Sequence, residues 1–413
     1  MEIKGQFQMS IHNGTMKKRY NMKHLIIRDF GPLKTADIEL ERINLIIGLQ
    51  GSGKSCVMMV ASYCSWIEKR IMLRQSVKEF QDGTTFLDGL ISYYHAKGYI
   101  HINKTYIEYS SNYMTFSYDC ATEIFSHSWN KNRWDYRRPK VSYVPAERNL
   151  VSLVANWNRL ETSYDSILDF KADWDTARKY MKREEDILGT GISYEYDEVS
   201  GTDSVVTSNG TRLGLMNSSS GFQSLVPMFV HLDYLYRGIY DDEKRQREKT
   251  YSERQFIYNL IDIIYRRNHT EDINIDVLNS EVVHIEGKDF VFQEHRDAEK
   301  FKADVERLLY TDHSDVFLEE PECNLFPPTQ AQLVNWIIEM YNDPDHSNSF
   351  FIATHSSYIL SYLLQENIRD FKLFLTHKES DGFMVRTASE DDIQEIYDNG
   401  SDAFFNLGVF GKK

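Results

Sequence analysis

The segment Gly48-Leu49-Gln50-Gly51-Ser52-Gly53-Lys54-Ser55 constrains this chain more than any other stretch. It fits the pattern GxxxxGK[ST]; the β-branched run 43–47 (INLII) leads straight into it, and a sequence of helical period follows. Strand, glycine-rich loop and helix in that order place successive backbone N–H groups in an anion-binding nest at a helix N-terminus, a seat for phosphate. Glycines at Gly48, Gly51 and Gly53 permit positive φ and close approach of the backbone. Lys54 is expected to reach the β- and γ-phosphates and the hydroxyl of Ser55 to ligate Mg²⁺. Gln50, Ser52 and Cys56 are taken with the loop as ligand-binding positions.

A second site begins at Asp315-Val316-Phe317-Leu318-Glu319-Glu320-Pro321-Glu322, an apolar strand ending in adjacent acids. Carboxylates at a strand's C-terminal end beside a phosphate loop hold Mg²⁺ and orient an attacking water. That chemistry gives Glu319 to the metal and makes Glu320 the general base; alone, the pair reads as a solvated strand end. The run 350–353 precedes Thr354-His355-Ser356, and a histidine on such a turn either reaches a γ-phosphate or is structural. Ser218-Ser219-Ser220-Gly221-Phe222-Gln223-Ser224 opens an apolar helix, as a second anion seat or as a plain serine N-cap.

Composition excludes several alternatives. The 413 residues carry 47 Lys and Arg against 62 Asp and Glu, so a uniformly basic nucleic-acid surface is ruled out and any DNA contact must be local. The candidate is 129–140, where Trp129, Lys131, Arg133, Trp134, Tyr136, Arg137, Arg138 and Lys140 interleave aromatic and basic side chains; the other reading is an exposed turn. Abundant Tyr, Phe and Trp exclude a disordered chain. The uncharged stretch 56–67 is far short of the roughly 20 apolar residues of a membrane span, and the N-terminal residues lack a secretory pattern. Cys56, Cys64, Cys120 and Cys323 have no CxxC spacing, which leaves a reduced, cytoplasmic protein as the expectation.

Elsewhere, 23–30 and 36–40 read as a hairpin-like pair, 106–118 alternates like a strand, 160–182 has helical period, and 194–213 reads as a strand pair around Asn209-Gly210. About 80 charge-rich residues, including 241–254 (DDEKRQREKTYSER), separate the apolar helix ending near Tyr236 from the acidic strand. They are expected to form an inserted helical subdomain with a solvated face.

Taken in order, these segments resemble the ATP-binding cassette ATPases. Ser219-Ser220-Gly221-Phe222-Gln223 is similar to their signature motif, Glu319-Glu320 to the Walker B pair, Glu322-Cys323-Asn324-Leu325-Phe326-Pro327 to the D-loop, and His355 to the switch histidine. More narrowly, HLIIRDFGPLKTADIEL, SSSGFQSLVPM, LEEPECNLFPPTQ and ATHSSYIL resemble the ATPase half of the OLD (overcoming lysogenization defect) family and its relatives in the anti-phage systems Septu, PARIS and certain retrons. The resemblance covers about 23–65, 141–150, 213–236 and 312–365. Two features depart from it. Glu319 stands where Asp is usual, and no clear Q-loop glutamine precedes the signature. Tyr143-Val144-Pro145-Ala146-Glu147-Arg148 lies there instead, either in that role or as a buried Arg–Glu pair.

The resemblance implies an α/β P-loop NTPase of the cassette type: a mixed sheet core with helices, an antiparallel β subdomain, a helical lobe and an inserted α-helical region. Its parts would be 1–69, the N-terminal core with the phosphate loop; 70–140, an inserted α/β lobe; 141–236, the Q-loop-like segment, helical lobe and signature; 237–311, the charged insertion; and 312–413, the C-terminal core. It also implies a head-to-tail homodimer or higher oligomer. ATP with Mg²⁺ on one subunit would then be covered by Ser220 and Gly221 of the other, with Ser219, Gln223 and Asn324 among the nucleotide-binding positions and Lys54, Glu320 and His355 catalytic. About 58 residues follow His355, too few for the fused Toprim nuclease of OLD enzymes. The expected function is therefore an ATPase that controls a separately encoded effector, a nuclease or toxin, in anti-phage defence. The alternatives are a RecF-like DNA-repair ATPase and a scaffold that binds nucleotide and scarcely hydrolyses it.

Overall fold

The computed structural model describes residues 22–153, 165–184, 186–244, 251–268, 280–366 and 368–399. Its strands are β1 Lys23–Phe30, β2 Leu33–Leu40, β3 Ile43–Ile47, β4 Tyr106–Ser110, β5 Met114–Asp119, β6 Ile124–Trp129, β7 Pro139–Val144, β8 Arg183–Glu184, β9 Ile192–Asp197, β10 Thr202–Thr207, β11 Arg212–Gly214, β12 Glu281–Ile285, β13 Lys288–Phe292, β14 His313–Glu319, β15 Ser349–Ala353, β16 Phe371–Glu379 and β17 Gly382–Thr387. Its helices are α1 Lys54–Arg74, α2 Thr85–Tyr94, α3 Leu150–Leu153, α4 Asp165–Met181, α5 Ser220–Asp233, α6 Ile239–Lys244, α7 Tyr251–Asn268, α8 His295–Leu309, α9 Pro327–Tyr341, α10 Ser357–Gln365 and α11 Glu390–Asn399.

One sheet runs β6-β5-β4-β1-β2-β17-β16-β3-β15-β14-β7. From β16 to β7 it is parallel, and β3 (INLII) and β15 (SFFIA) are buried along their whole length because both faces are covered. Alternate residues serve two cores: Ile46, Phe317, Phe351 and Phe374 pack with α1, whereas Leu45, Val316, Leu318 and Ile352 pack with α4, α5, α9 and α10. The fold is a mixed α/β P-loop fold.

Three expectations change. The strands of 70–140 extend the sheet antiparallel from β1 instead of forming a lobe of their own. Their inward residues Phe116 and Phe125 pack on Phe86 of α2 at 6.2 and 5.7 Å between ring centroids. The charged insertion is not helical throughout. β12 and β13 form a hairpin turning at Glu286-Gly287, with φ of 49° and 79°, and Phe290 and Phe292 both lie 5.0 Å from Phe301 of α8. The segment 194–213 belongs to a four-stranded sheet, β11-β10-β9-β8, and is more than a strand pair.

The run 129–140 does turn at the surface, with Lys131, Asn132 and Asp135 exposed, but most of its basic groups are engaged within the protein. Tyr136 is only 1 % exposed. Arg133 lies over the rings of Trp129 and Trp134 at 3.9 and 4.4 Å, Arg137 donates to Asp312 and Lys140 to Asp173 at 2.7 Å each, and Arg138 donates to the Leu309 carbonyl.

A buried ion pair ties the sheet's two halves. Lys23 on β1 bonds Asp315 on β14 and donates to Ser65 of α1 at 3.4 Å, and Ser349 donates to the other Asp315 oxygen at 2.6 Å. Burial works against the Asp315 charge, but Lys23 and His313 outweigh it and hold the carboxyl below its usual range. Lys23→Met strands that charge in the core and should cost about 3–5 kcal/mol in urea unfolding. Adding Asp315→Asn should recover most of the loss.

Candidate functional site

β3, β15 and β14 pair in a register that sets Glu319 opposite Ala353 and Ala353 opposite Ile46. Their C-terminal ends therefore open at one level, and the segments that follow, 48–53, 354–356 and 320–326, converge there, where open α/β sheets bind ligands.

The first helical bond of α1 runs from the Val57 N–H to the Gly53 carbonyl at 3.1 Å, so the N–H groups of Lys54, Ser55 and Cys56 precede the ladder and form its positive end. Two glycines are obligatory. Gly53 has φ 91° and a Cβ there would lie 2.5 Å from Leu33, while a Cβ on Gly48 would lie 1.7 Å from the Thr376 hydroxyl oxygen. That hydroxyl donates to Ser52 at 2.7 Å and buries Ser52 beneath the loop, leaving Leu49, Gln50 and Gly51 exposed above it. The Cys56 side chain turns into the core, where burial pushes its thiol up to about 12; only its main chain belongs to the loop.

Lys54 folds back over this loop and donates to the carbonyls of Gly48 and Leu49 at 3.1 and 2.9 Å. Burial lowers its pKa from 10.5 to about 8, against the pull of Glu320, Glu322 and Glu319.

The acidic strand end meets the loop. Glu319 is bonded by the hydroxyl of Ser55 and by Tyr143, whose phenol donates at 2.7 Å. Burial raises its carboxyl and those two hydrogen bonds oppose the rise. Half-buried carboxylate and hydroxyl oxygens of this kind suit a hard divalent cation, so Ser55 and Glu319 fit Mg²⁺. Glu320 leaves the strand at φ 42°, a left-handed conformation costing roughly 1 kcal/mol or more, and donates its N–H to Ala353 at 2.8 Å. Its carboxylate accepts from the Cys323 thiol at 3.2 Å and lies 3.6 Å from Nε2 of His355. Burial, aided by the nearby Lys54 charge, lowers the His355 pKa. Glu322 accepts the His355 N–H at 2.6 Å through one oxygen, and among the described residues its other, buried oxygen has no hydrogen-bond partner.

From sequence, Tyr143 and Arg148 stood out only as parts of the segment 143–148, in a Q-loop role or as a buried Arg–Glu pair, and their contacts with the acidic strand end were missed. Arg148 is 1 % exposed and does not pair with the exposed Glu147. Its guanidinium instead donates to the carbonyls of Glu319, Glu320 and Pro321 at 3.0, 3.0 and 3.1 Å, clamping the turn after β14. The available signal was position: both residues flank the end of β7, the strand beside the acidic one.

At the head of α5, Ser219 and Ser220 are exposed, and Ser219 caps the helix by accepting the Phe222 N–H at 3.5 Å. Gly221 abuts the D-loop-like turn, a Cβ there lying 3.0 Å from the Asn324 carbonyl. Asn324 donates to Ser224 at 2.9 Å, and Gln223 donates to the carbonyls of Met216 and Ser218 at 2.8 and 3.0 Å. Both amides brace this corner of the same subunit.

Among solved structures the chain is similar to the SMC head domain from Thermotoga maritima, with 10 % identity over 89 % of this chain and 99 % of that one and a TM-score of 0.41. It is also similar to the Smc head domain with an extended coiled coil bound to the C-terminal domain of ScpA, from Pyrococcus furiosus, with 8 % identity, 92 % and 99 % coverage and a TM-score of 0.39. A third is the ADP conformation of an ATP-binding cassette of an ABC transporter, with 11 % identity, 95 % and 100 % coverage and a TM-score of 0.34. No protein-family profile and no curated protein matches the sequence. No helix among the described residues is long and apolar enough to cross a membrane.

The Lys54 ammonium gives this site a pH signature. Above about 8 the free protein loses that charge, while a bound phosphate anion favours keeping it. Affinity for ATP, followed with a fluorescent analogue, should therefore fall by up to about tenfold per pH unit above that point. Lys54→Arg, which does not titrate there, should abolish the slope.

Proposed function

We propose that the chain is an ATPase of the ATP-binding cassette type, which binds ATP with Mg²⁺ and hydrolyses it in a head-to-tail dimer. The observation that carries this reading is the convergence of Lys54, Ser55, Glu319, Glu320 and His355 at the ends of three parallel strands.

In this reading the loop N–H groups and Lys54 bind the β- and γ-phosphates. Mg²⁺ held by Ser55 and Glu319 supplies neutralisation of phosphate charge. Tyr143 fixes the Glu319 carboxylate, and Arg148 fixes the turn that aims Glu320. Glu320, half-exposed beside His355, orients a water toward the γ-phosphate and accepts its proton at a carboxylate oxygen. His355, held near neutrality, contacts the γ-phosphate as a hydrogen-bond donor and reports its departure.

The helix end, with Ser219 and Ser220 exposed and Gly221 half-buried beside them, supports the dimer, because small side chains on a positive helix terminus suit the phosphates of a partner's nucleotide. ATP then shifts an open–closed equilibrium by its differential affinity, which is how such a subunit would control a separately encoded nuclease or toxin in anti-phage defence. The RecF-like reading needs a free basic surface, and the internal bonds of Arg133, Arg137, Arg138 and Lys140 give it no support.

Glu320→Gln should lower steady-state ATP turnover by about 100-fold or more while preserving ATP binding, and should accumulate an ATP-dependent dimer in light scattering. Unchanged turnover together with an unchanged oligomeric state would remove Glu320 from this role.

A further inference from the structure

A cavity of about 500 Å³ is walled by α1, α2, β7 and α4, on ground that none of the phosphate-binding positions occupies. Its size is that of a small-molecule site, which typically spans roughly 300–1,000 Å³. Aromatic rings make up much of its wall: Tyr63, Trp66, Phe80, Tyr93 and Tyr94. Tyr63 and Trp66 stack at 5.9 Å with 18° between their planes, and Tyr93 meets Tyr94 edge-on at 4.7 Å.

The remaining chemistry of the wall is of one sign. Glu79, Asp88 and Asp169 line it, and no Lys, Arg or His does so among the described residues. Glu79 is neutralised by Arg70 and Arg74, and Asp169 accepts the Tyr93 phenol at 2.7 Å. Asp88 is exposed and has no cationic partner among the described residues. The protein already uses one of these rings for a cation, since the Arg70 guanidinium lies 5.0 Å from the centroid of Trp66.

We propose that this cavity binds a small organic cation, with a flat aromatic or apolar body and one ammonium or amidinium group. Ring faces carry negative potential and attract a positive centre within about 6 Å. A carboxylate without a partner adds the charge that orients it. An anion meets the uncompensated carboxylate of Asp88, and a neutral molecule leaves it without a counter-ion. The same site touches the hydrolytic machinery: Tyr143, which holds Glu319, also lines the cavity, and its ring packs on Tyr94 at 5.1 Å. Tyr94 in turn is hydrogen-bonded to Ser62 of α1.

The test uses the 413-residue chain without nucleotide, so its outcome is independent of the ATPase reading. Benzamidine, a flat amidinium, is titrated calorimetrically against benzamide, its uncharged counterpart of nearly the same shape. Benzamidine should bind at least about tenfold more tightly, and Asp88→Asn should remove most of that advantage while leaving benzamide unchanged. Trp66→Leu should weaken both. Asp88 is exposed, so the melting temperature of Asp88→Asn should match that of the parent protein. Equal affinity for the two probes, no benzamidine binding at millimolar concentration, or a benzamidine affinity indifferent to Asp88→Asn would each overturn the assignment.

Discussion

The in-register parallel pairing of β14, β15 and β3 is the constraint on which the site depends. The ladder continues one step past the strands: the Glu320 N–H donates to Ala353 at 2.8 Å and the Thr354 N–H to Ile46 at 3.2 Å. Those bonds fix the first residue of each loop against its neighbour. A slip of one residue would turn Val316, Leu318 and Ile352 toward the wrong core and would also carry Glu319 away from Ser55. The apolar burial that stabilises the sheet therefore aligns the polar groups at its end.

That alignment sets up an electrostatic opposition. Lys54 and His355 stand on one side, with Glu319, Glu320 and Glu322 on the other. Desolvation drives Lys54 and His355 down and Glu319 and Glu322 up, so burial favours the neutral form of each. The carboxylates hold Lys54 back from that limit and Glu320 does so for His355, whereas hydrogen bonds oppose it at Glu319 and Glu322. Such a cluster has most to gain from a ligand that carries both signs, as a polyphosphate with a divalent cation does.

Legibility in the sequence followed the range of the interactions. The phosphate loop, the acidic strand end and the histidine turn are local patterns, each a short β-branched or aromatic run followed by polar residues, and their element types were readable. Arg148 was not, because its carbonyl partners lie at 319–321 and no local rule names them. The run 129–140 misled for the same reason: Trp134 receives Arg267 at 4.3 Å over its ring and Arg307 at its carbonyl, both from the charged insertion. Gln223 and Asn324 have polar side chains suited to a ligand, yet their nearest acceptors are in their own subunit. The β12–β13 hairpin had a local signal in Val282, Val283 and Ile285 flanking Glu286-Gly287, but the surrounding charge masked it.

Helix α1 joins these parts. Its N-terminus carries Lys54 and Ser55, Ser62 and Tyr63 lie two turns on at the cavity wall, and Arg70 and Arg74 pair with Glu79 near its end. Lys23 of β1 reaches it at Ser65, and Glu68, bonded by Tyr109 and Ser111, anchors it to the antiparallel strands. A helix buried on so many sides cannot tilt at one end alone, because a close-packed core resists local compression. Its middle and its first turn therefore belong to one close-packed element. The Tyr94–Tyr143 contact offers a second route, from the cavity wall directly to the carboxylate of Glu319. Helix and tyrosine pair meet again at Glu319, whose carboxylate Ser55 and Tyr143 share, so the cavity wall and the acidic strand end are bound to the same side chain.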